Sequence, residues 1–380
     1  MTIAATRSGA PKNTAPAGDG TVQYLPVGPL ELESGAVLPE VTLAYETWGT
    51  LNADGSNAVL IEHALTGDTH VTRGGGDAGG EAGWWEELAG PGAPVDTGKY
   101  FVVSINILGG CYGSTGPSTP APDGRPWGSR FPLVTLRDST AAEARLADAL
   151  GIGSWHAVLG GSLGGARALE WAVSYPDRVR RCAVISVGAR STAEQIAFAQ
   201  AQTLAIRQDP DFRGGDYYGG PRPDAGLALA RRIAHITYRS AAELDGRFGR
   251  TAQKAEAPLT PGPPAGRGRY QVESYLDHQG NKLVSRFDAN SYIAITEALM
   301  SHDVSRGRGS LEEALARATA DFFVAAVDSD RLYFPEQSRE LAAALPGDVP
   351  VHVIEAPIGH DGFLTEIGQL GDRLRSAFFA

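Results

Sequence analysis

The stretch His156-Ala157-Val158-Leu159-Gly160-Gly161-Ser162-Leu163-Gly164-Gly165-Ala166-Arg167 changes from a short apolar run, through a glycine-rich turn, to a helix-forming segment. A serine at such a turn in the pattern G-x-S-x-G is typical of a nucleophile elbow. Glycines are needed two residues before and after the serine because side chains there would collide where strand and helix cross. The stretch therefore predicts an α/β fold with Ser162, a candidate nucleophile, at a helix N-terminus.

Further short apolar runs on both sides of this stretch predict the rest of a sheet. They lie at residues 41–45, 58–61, 100–105, 182–185, 322–327 and 351–354. Continuous hydrophobicity over four to six residues is typical of strands that are buried on both faces of a parallel sheet. Helical stretches separate the runs, and Thr140-Ala141-Ala142-Glu143 predicts a capping box at the start of one that ends near Gly151. The pattern predicts a mostly parallel central sheet flanked by helices.

The middle of the chain has a different pattern, and it defines the predicted domains. From residue 192 to residue 303 the apolar residues keep helical spacing, and no buried strand is evident. A Pro/Gly-rich loop is expected at 257–269 and a hinge at 305–310. We therefore predict a loose N-terminal tail (1–20), an α/β core (21–190 and 306–380) and an inserted helical lid (191–305).

Composition excludes several classes of protein. The chain has 33 Lys and Arg residues against 44 Asp and Glu, a formal net charge of −11, which disfavours nucleic acid and anionic membranes as partners. Its two cysteines, Cys111 and Cys182, have no zinc-ligand spacing and are expected as reduced thiols. We find neither a signal-like apolar segment at the N-terminus nor a run of 18 apolar residues. These observations predict a cytoplasmic protein without a metal site.

A serine nucleophile needs a histidine base and a carboxylate that orients it. In folds with a nucleophile elbow these follow later in the chain, acid before base. His360 lies in the loop after the run 351–354, which is where the base is expected. Asp328 and Asp330 both follow the run 322–327. We favour Asp330, because it lies further out of the strand, and keep Asp328 as the alternative.

Several longer strings together resemble the homoserine O-acetyltransferases of the α/β-hydrolase fold, from about Leu25 to the C-terminus. The strings are His63-Ala64-Leu65-Thr66-Gly67-Asp68-Thr69-His70, Gly83-Trp84-Trp85, Asn106-Ile107-Leu108-Gly109-Gly110-Cys111-Tyr112-Gly113-Ser114-Thr115-Gly116-Pro117, Gly160-Gly161-Ser162-Leu163-Gly164-Gly165 and Gly359-His360-Asp361-Gly362-Phe363. The resemblance implies an α/β-hydrolase fold and an acetyltransferase of methionine biosynthesis without a permanently bound cofactor. Acetyl-CoA would acetylate Ser162, and the acetyl group would pass to the side-chain hydroxyl of L-homoserine in a ping-pong reaction.

The resemblance also implies roles for individual residues. Ser162, His360 and Asp330 would form the triad, and the backbone N–H groups of Leu65 and Leu163 would form the oxyanion hole.

Three more residues would bind the acceptor. Arg231 would hold its carboxylate and Asp361 its ammonium group. Tyr238, seven residues after Arg231, would share a helix face with it, whereas Arg232 would face elsewhere. Relatives pair through the lid helices, which implies a homodimer.

Alternatives remain open at this point. The same triad would serve an esterase or lipase, and a non-catalytic binding protein of this fold is a third class. Within the transferases, a succinyl donor or a serine acceptor would differ little in the sequence pattern. A CoA donor carries phosphates, so basic side chains are expected around the entrance of the site. We also expect a structural ion pair at Arg167, a small buried side chain at Cys111, and pocket-lining roles for Asn106 and Arg130.

Overall fold

The computed structural model describes residues 18–73, 82–259 and 268–379, and its centre is a nine-stranded sheet. The strands in chain order are β1 (Gly18–Asp19), β2 (Gln23–Glu31), β3 (Val37–Gly49), β4 (Ala58–Glu62), β5 (Ala89–Gly90), β6 (Val95–Asp96), β7 (Phe101–Ile105), β8 (Ala157–Gly161), β9 (Arg181–Ile185), β10 (Asp321–Val327) and β11 (Val351–Ile354). The main sheet has the order β1-β3-β7-β4-β8-β9-β10-β11, and β2 also pairs with β3, while β5 and β6 pair with each other.

Strand direction divides the main sheet into two parts. The strands from β7 through β4, β8, β9 and β10 to β11 are parallel to their neighbours. At the other edge, β3 pairs antiparallel with β1, β2 and β7. The run 41–45 therefore belongs to a long antiparallel strand, whereas the other predicted runs belong to the parallel part. The mostly parallel α/β sheet is confirmed.

Helices cover both faces of the sheet. In chain order they are α1 (Leu136–Ala149), α2 (Leu163–Ser174), α3 (Ala193–Arg207), α4 (Asp224–Tyr238), α5 (Ala241–Phe248), α6 (Gln271–Val284), α7 (Ala289–Met300), α8 (Leu311–Leu315), α9 (Pro335–Ala344), α10 (Gly362–Thr365) and α11 (Ile367–Leu374). Neighbouring strand residues point into different cores: Val158 packs with α1 and α2, and Leu159 packs with α11. Burial on both faces explains the continuous hydrophobicity of these strands. No helix of the described ranges has the length and apolarity to cross a membrane.

The helices α3 to α7 lie between β9 and β10, and α4 packs against both α3 and α6. Within the described residues, no strand of either sheet falls between β9 and β10. This segment corresponds to the predicted lid, and the domain division itself stays a prediction. Most of the expected Pro/Gly-rich loop, residues 260–267, lies outside the described residues.

Two details differ from the sequence predictions. Helix α1 begins one turn earlier than expected, because Thr135 and Asp138 form the capping box, with Thr135 N donating to Asp138 Oδ2 at 2.8 Å. Thr140 and Glu143, the expected capping pair, lie buried inside the helix. Gly18–Asp19, expected within the N-terminal tail, instead forms β1 and pairs with the end of β3, and the rest of the predicted tail, residues 1–17, lies outside the described residues.

Candidate active site

Ser162 sits in a strained turn between β8 and α2, with φ of 57° and ψ of −124°. A Cβ on Gly160 would come within 2.4 Å of the carbonyl carbon of Gly164, and a Cβ on Gly164 within 2.1 Å of the carbonyl oxygen of Glu62. Both approaches are shorter than any van der Waals contact, so only glycine fits where strand and helix cross. The turn places the Ser162 hydroxyl above the sheet, at the N-terminus of α2.

The structure brings Ser162, His360 and Asp330 into one hydrogen-bonded chain. His360 Nε2 lies 2.9 Å from Ser162 Oγ, and His360 Nδ1 lies 2.6 Å from Asp330 Oδ2. The carboxylate at Nδ1 fixes the proton there, so Nε2 is the atom free to accept the hydroxyl proton of Ser162. All three side chains are buried. The arrangement has the geometry of a nucleophile with its general base and orienting acid.

Asp330 rather than Asp328 faces the imidazole. The second oxygen of Asp330, Oδ1, accepts backbone N–H bonds from Leu332 (2.8 Å) and Tyr333 (2.9 Å), which fix the carboxylate. Asp328 is exposed and accepts from the backbone N–H of Ala356 at 2.9 Å. The two candidates left open by the sequence are therefore distinguished by their partners.

The electrostatics around His360 favour its protonated form. Burial alone would lower the pKa of His360, but the charge and hydrogen bond of Asp330, together with the charge of Asp361, raise it above the usual value. The rings of Tyr333, Tyr238 and Phe363 surround the imidazole, with centroids 5.4, 5.8 and 5.4 Å away. An imidazole enclosed in this way has little access to water, which strengthens its interaction with Asp330.

A small, largely apolar cavity has Ser162 in its wall. It is lined by Leu65, Ser162, Ser191, Gln195, Phe198, Ala199, Gln202, Thr237, Tyr238, Thr296, Leu299, Met300, Leu332 and Tyr333. Leu65 belongs to this wall, and Leu163 is the first residue of α2, so its backbone N–H has no acceptor within the helix. Both amides therefore belong to elements that meet at Ser162.

Arg231 and Arg232 point in different directions from α4, as the spacing predicts. The Arg231 guanidinium donates to Thr66 Oγ1 at 3.3 Å and lies 5.5 Å from the centre of the Tyr238 ring. Arg232 instead forms a 2.8 Å ion pair with Asp277, away from the cavity lining. Arg231 and Tyr238 thus share one face of α4 near His360.

Asp361 lies close to this group and has a partner that the sequence did not indicate. Its Oδ2 lies 3.4 Å from Nη2 of Arg239. Burial raises the pKa of Tyr238, the charge of Arg231 lowers it, and the charge of Asp361 raises it. A cation and an anion therefore both act on Tyr238 beside the base, an arrangement suited to a zwitterionic ligand.

Three other residues near the site were missed from sequence: Arg286, Thr66 and Tyr112. Arg286 Nη1 donates to Thr66 O (2.8 Å) and to Tyr112 Oη (2.6 Å), which joins the segment after α6 to the loops that follow β4 and β7. Thr66 in turn accepts from Arg231. Thr66 and Tyr112 occur in the family-like strings, which was the available signal, whereas nothing in the local sequence distinguishes Arg286.

Arg167 forms the expected ion pair, but with two partners. Its side chain is wholly buried, with Nη2 2.6 Å from Glu62 Oε2 and Nε 3.2 Å from Glu143 Oε1. Burial and the nearby Glu143 raise the pKa of Glu62 well above its usual value, against the opposing charge of Arg167. The cluster joins β4 to α1 and α2 directly below Ser162.

Asn106, Arg130 and Cys111 are not among the residues that line the cavity described at Ser162. Asn106 is buried and accepts from Tyr112 N at 3.1 Å, while Arg130 forms a surface ion pair with Asp123 at 2.8 Å. Cys111 is half-buried, and burial raises its pKa to about 12. The pocket-lining roles expected for Asn106 and Arg130 are therefore not borne out for this cavity.

The described lining of the cavity at Ser162 includes neither Lys nor Arg, and the basic side chains expected around the entrance of the site stay a prediction. Arg190 and Arg331 directly precede two of the lining residues, Ser191 and Leu332. Within the described ranges we find no group of three His, Cys, Asp or Glu side chains arranged to hold a metal ion.

Comparison with known proteins identifies the fold and the family of the chain. A family model described as the alpha/beta hydrolase fold matches residues 57–367. The chain is 58% identical over 344 residues to a homoserine O-acetyltransferase from Thermobifida fusca (strain YX), covering 90% of this chain and 89% of that one. The crystal structure of a homoserine O-acetyltransferase from Bacillus anthracis superposes with a TM-score of 0.87 at 27% identity, covering 95% of this chain and 98% of that one.

An esterase structure is almost as similar in fold. Esterase E22 superposes with a TM-score of 0.86 at 25% identity, covering 94% of this chain and 99% of that one. The fold alone therefore does not separate transferases from esterases, whereas the sequence identity does. On these grounds, the chain belongs to the homoserine O-acetyltransferase family of the α/β-hydrolase fold.

Proposed function

We propose that this protein transfers the acetyl group of acetyl-CoA to the side-chain hydroxyl of L-homoserine, through an acetyl-Ser162 intermediate. The observation that carries the proposal is the hydrogen-bonded chain from Asp330 through His360 to Ser162 in the wall of an apolar cavity, beside the opposite charges of Arg231 and Asp361. The identity with homoserine O-acetyltransferases supports the choice of donor and acceptor.

In the first half-reaction, His360 Nε2 takes the proton of Ser162 as Oγ attacks the thioester carbonyl carbon. The carbonyl oxygen becomes an oxyanion, which the backbone N–H groups of Leu163 and Leu65 stabilise. The C–S bond then breaks, and the leaving CoA thiolate takes the proton from His360. The product is an acetyl ester on Ser162, with His360 neutral again.

In the second half-reaction, the homoserine hydroxyl gives its proton to His360 Nε2 and attacks the acetyl ester. The second tetrahedral intermediate collapses, and Ser162 Oγ recovers the proton from His360. Asp330 keeps the imidazole in the required tautomer and stabilises the transient imidazolium ion. Atoms and charge balance in each half, so no permanently bound cofactor is required.

Acceptor recognition follows from the charges beside the base. Arg231 offers a planar fork that suits the homoserine carboxylate, and Asp361 offers a counter-charge for the ammonium group. Tyr238 lies between Arg231 and His360 and forms part of the cavity wall. Water lacks both charges and is therefore not positioned by these groups, which favours transfer over hydrolysis.

The decisive experiment measures thiol release from acetyl-CoA with L-homoserine, L-serine or water as acceptor, and repeats it with succinyl-CoA as donor. We expect rapid release only with acetyl-CoA and L-homoserine, and a loss of at least about 10³-fold in Ser162→Ala. Ser186→Ala is the matched control, because Ser186 is also buried with a positive φ of 50°. Equal release with water would identify an esterase, and release that survives in Ser162→Ala would refute the nucleophile.

Three wider statements belong to the same proposal. The product, O-acetyl-L-homoserine, would serve methionine biosynthesis, as the family resemblance implies. The cytoplasmic location follows from the acetyl-CoA donor, which is an intracellular metabolite. We also propose a homodimer through the lid helices, supported by exposed apolar side chains on α3 (Ile196, Leu204) and α4 (Leu229, Ile236).

A further inference from the structure

The C-terminal end of α4 is fastened to the loop that carries His360. Ser240 donates its backbone N–H to Ile358 O at 3.1 Å, and its hydroxyl donates to Pro357 O. Gly359 lies against this segment with φ of +97°, and a Cβ there would come within 2.6 Å of Ser240 N. The two segments are therefore in contact backbone to backbone. A change in the position of one of them is transmitted directly to the other.

Arg239, which precedes Ser240, adds an ion pair to this contact. Its Nη2 lies 3.4 Å from Asp361 Oδ2, and its Nη1 lies 3.8 Å from Glu243 Oε1. The side chains of Arg239 and Asp361 are only 14% and 20% exposed, so the pair is shielded from bulk water. A shielded ion pair restricts the position of a carboxylate more than a solvated surface pair does.

The charge on Asp361 depends on the cations around it. Burial raises the pKa of Asp361, the charges of His360, Arg239 and Arg231 lower it, and the charge of Asp330 raises it further. A carboxyl group must be ionised to attract an ammonium group. Removing Arg239 or Arg231 therefore reduces the ionised fraction of Asp361, which is the form that can bind an ammonium group.

We propose that Arg239 is a positioning residue for acceptor specificity, which holds the Asp361 carboxylate where it receives the ammonium group of an amino-acid acceptor. The inference rests on the proposed function, because it takes Asp361 as the ammonium ligand. The contact of Arg239 with this group is its ion pair with Asp361, and its assigned role is therefore exerted through that carboxylate. The lid then contributes to acceptor choice twice, through Arg231 on the carboxylate and through Arg239 on the ammonium site.

The test compares Arg239→Gln with Arg232→Gln, a control on α4, the helix that Arg239 directly follows. The Arg232 guanidinium pairs with Asp277. With saturating acetyl-CoA, we expect the KM for L-homoserine to rise about tenfold or more in Arg239→Gln and to stay unchanged in Arg232→Gln. Arg239→Lys should recover part of the loss, because it restores the charge.

Two further measurements separate this role from a merely structural one. The compound 4-hydroxybutyrate has the hydroxyl and carboxylate of homoserine but no ammonium group, so its acetylation rate should be the same in wild type and Arg239→Gln. In an Asp361→Asn background, Arg239→Gln should add no further rise in the KM for L-homoserine.

The outcomes that overturn the inference are specific. An unchanged KM for L-homoserine, an equal loss with 4-hydroxybutyrate, or a further rise in the Asp361→Asn background would each remove Arg239 from acceptor recognition. The proposed function would survive these results if the wild type acetylates L-homoserine. A wild type that does not acetylate L-homoserine at all would instead refute the proposed function.

Discussion

Gly359 and Ser240 approach so closely that a single added Cβ on Gly359 would lie 2.6 Å from the backbone nitrogen of Ser240. Gly359→Ala must therefore both strain the backbone at φ of +97° and separate the lid from the base loop. We expect a loss of about 3 kcal/mol or more in the free energy of unfolding, measured by urea denaturation.

Gly219→Ala is the matched control for this substitution. Gly219 also has a positive φ, +83°, but a Cβ there would meet no atom within 4 Å. It should cost only the backbone strain, about 1 kcal/mol. Equal losses in the two variants would contradict the close docking of the lid on the base loop.

The two aspartates after β10 should differ sharply in their effect on activity. Asp330→Asn keeps the shape of the side chain but removes the charge that orients His360, so kcat should fall by about 10⁴-fold. Asp328→Asn retains an oxygen for the Ala356 N–H and should leave kcat near the wild-type value. Steady-state thiol release checks both. A larger loss of kcat in Asp328→Asn than in Asp330→Asn would show that Asp328, not Asp330, orients His360.

The raised pKa of His360 predicts the pH dependence of the reaction. The base must be neutral to accept the Ser162 proton, so kcat/KM for acetyl-CoA should fall as pH decreases through a value above 6.5, the ordinary histidine pKa. Asp330→Asn removes a charge that raises this pKa, so the acidic limb of its residual activity should move to lower pH. An acidic limb that stays at the same pH in Asp330→Asn would mean that a group other than His360 controls it.

The buried cluster below Ser162 should respond unequally to loss of its members. Arg167→Met leaves two buried carboxyl groups without their cation and should cost about 3–5 kcal/mol of unfolding free energy. Burial and Glu143 favour the neutral form of Glu62, which Glu62→Gln imitates in shape and charge, so this variant should lose less than Arg167→Met, about 1 kcal/mol.

The same pKa gives Glu62 a defined contribution to the pH dependence of stability. Because the folded pKa of Glu62 lies above the unfolded value of 4.5, Glu62 contributes stability that is fully present below pH 4.5. This stability is lost as pH rises through the folded pKa. The Glu62→Gln variant lacks this contribution, so its unfolding free energy should decline less toward alkaline pH. Parallel curves for the two proteins would show that Glu62 is ionised in the fold.

The proposed dimer makes a prediction about the surface of α4. Leu229 and Ile236 are 45% and 41% exposed and lie seven residues apart, on one helix face. Replacing both by Glu should convert the dimer to a monomer in sedimentation velocity, because charged side chains oppose burial at an interface. A wild-type monomer would contradict the proposal.

The sequence was sufficient for features that follow from chain order and periodicity. The continuous apolar runs identified the buried parallel strands, because burial on both faces removes the polar alternation. The order of serine, acid and base pointed to Ser162, Asp330 and His360, which the structure brings together. Helical spacing also predicted that Arg231 and Arg232 point in different directions, and they have different partners in the structure.

The predictions that failed depend on distant partners. Thr140 and Glu143 have the spacing of a capping box, but Glu143 is the partner of Arg167. Helix α1 is instead capped with the help of Asp138, which also accepts a hydrogen bond from the backbone N–H of Glu33. The Arg239–Asp361 pair joins residues separated by strand, loop and helix, so no periodicity indicates it. Such contacts become visible only once the chain is folded.

The position of helices α3 to α7 between β9 and β10 also determines when the site can form during synthesis. β8 and β9 can pair as soon as both have left the ribosome, but β10 must wait until all of these helices have been made. His360 is 198 residues beyond Ser162 and close to the C-terminus. A nascent chain therefore exposes its serine elbow long before a base can reach it. Activity should appear only after the segment that carries His360 has been made and has docked, as a late step of folding.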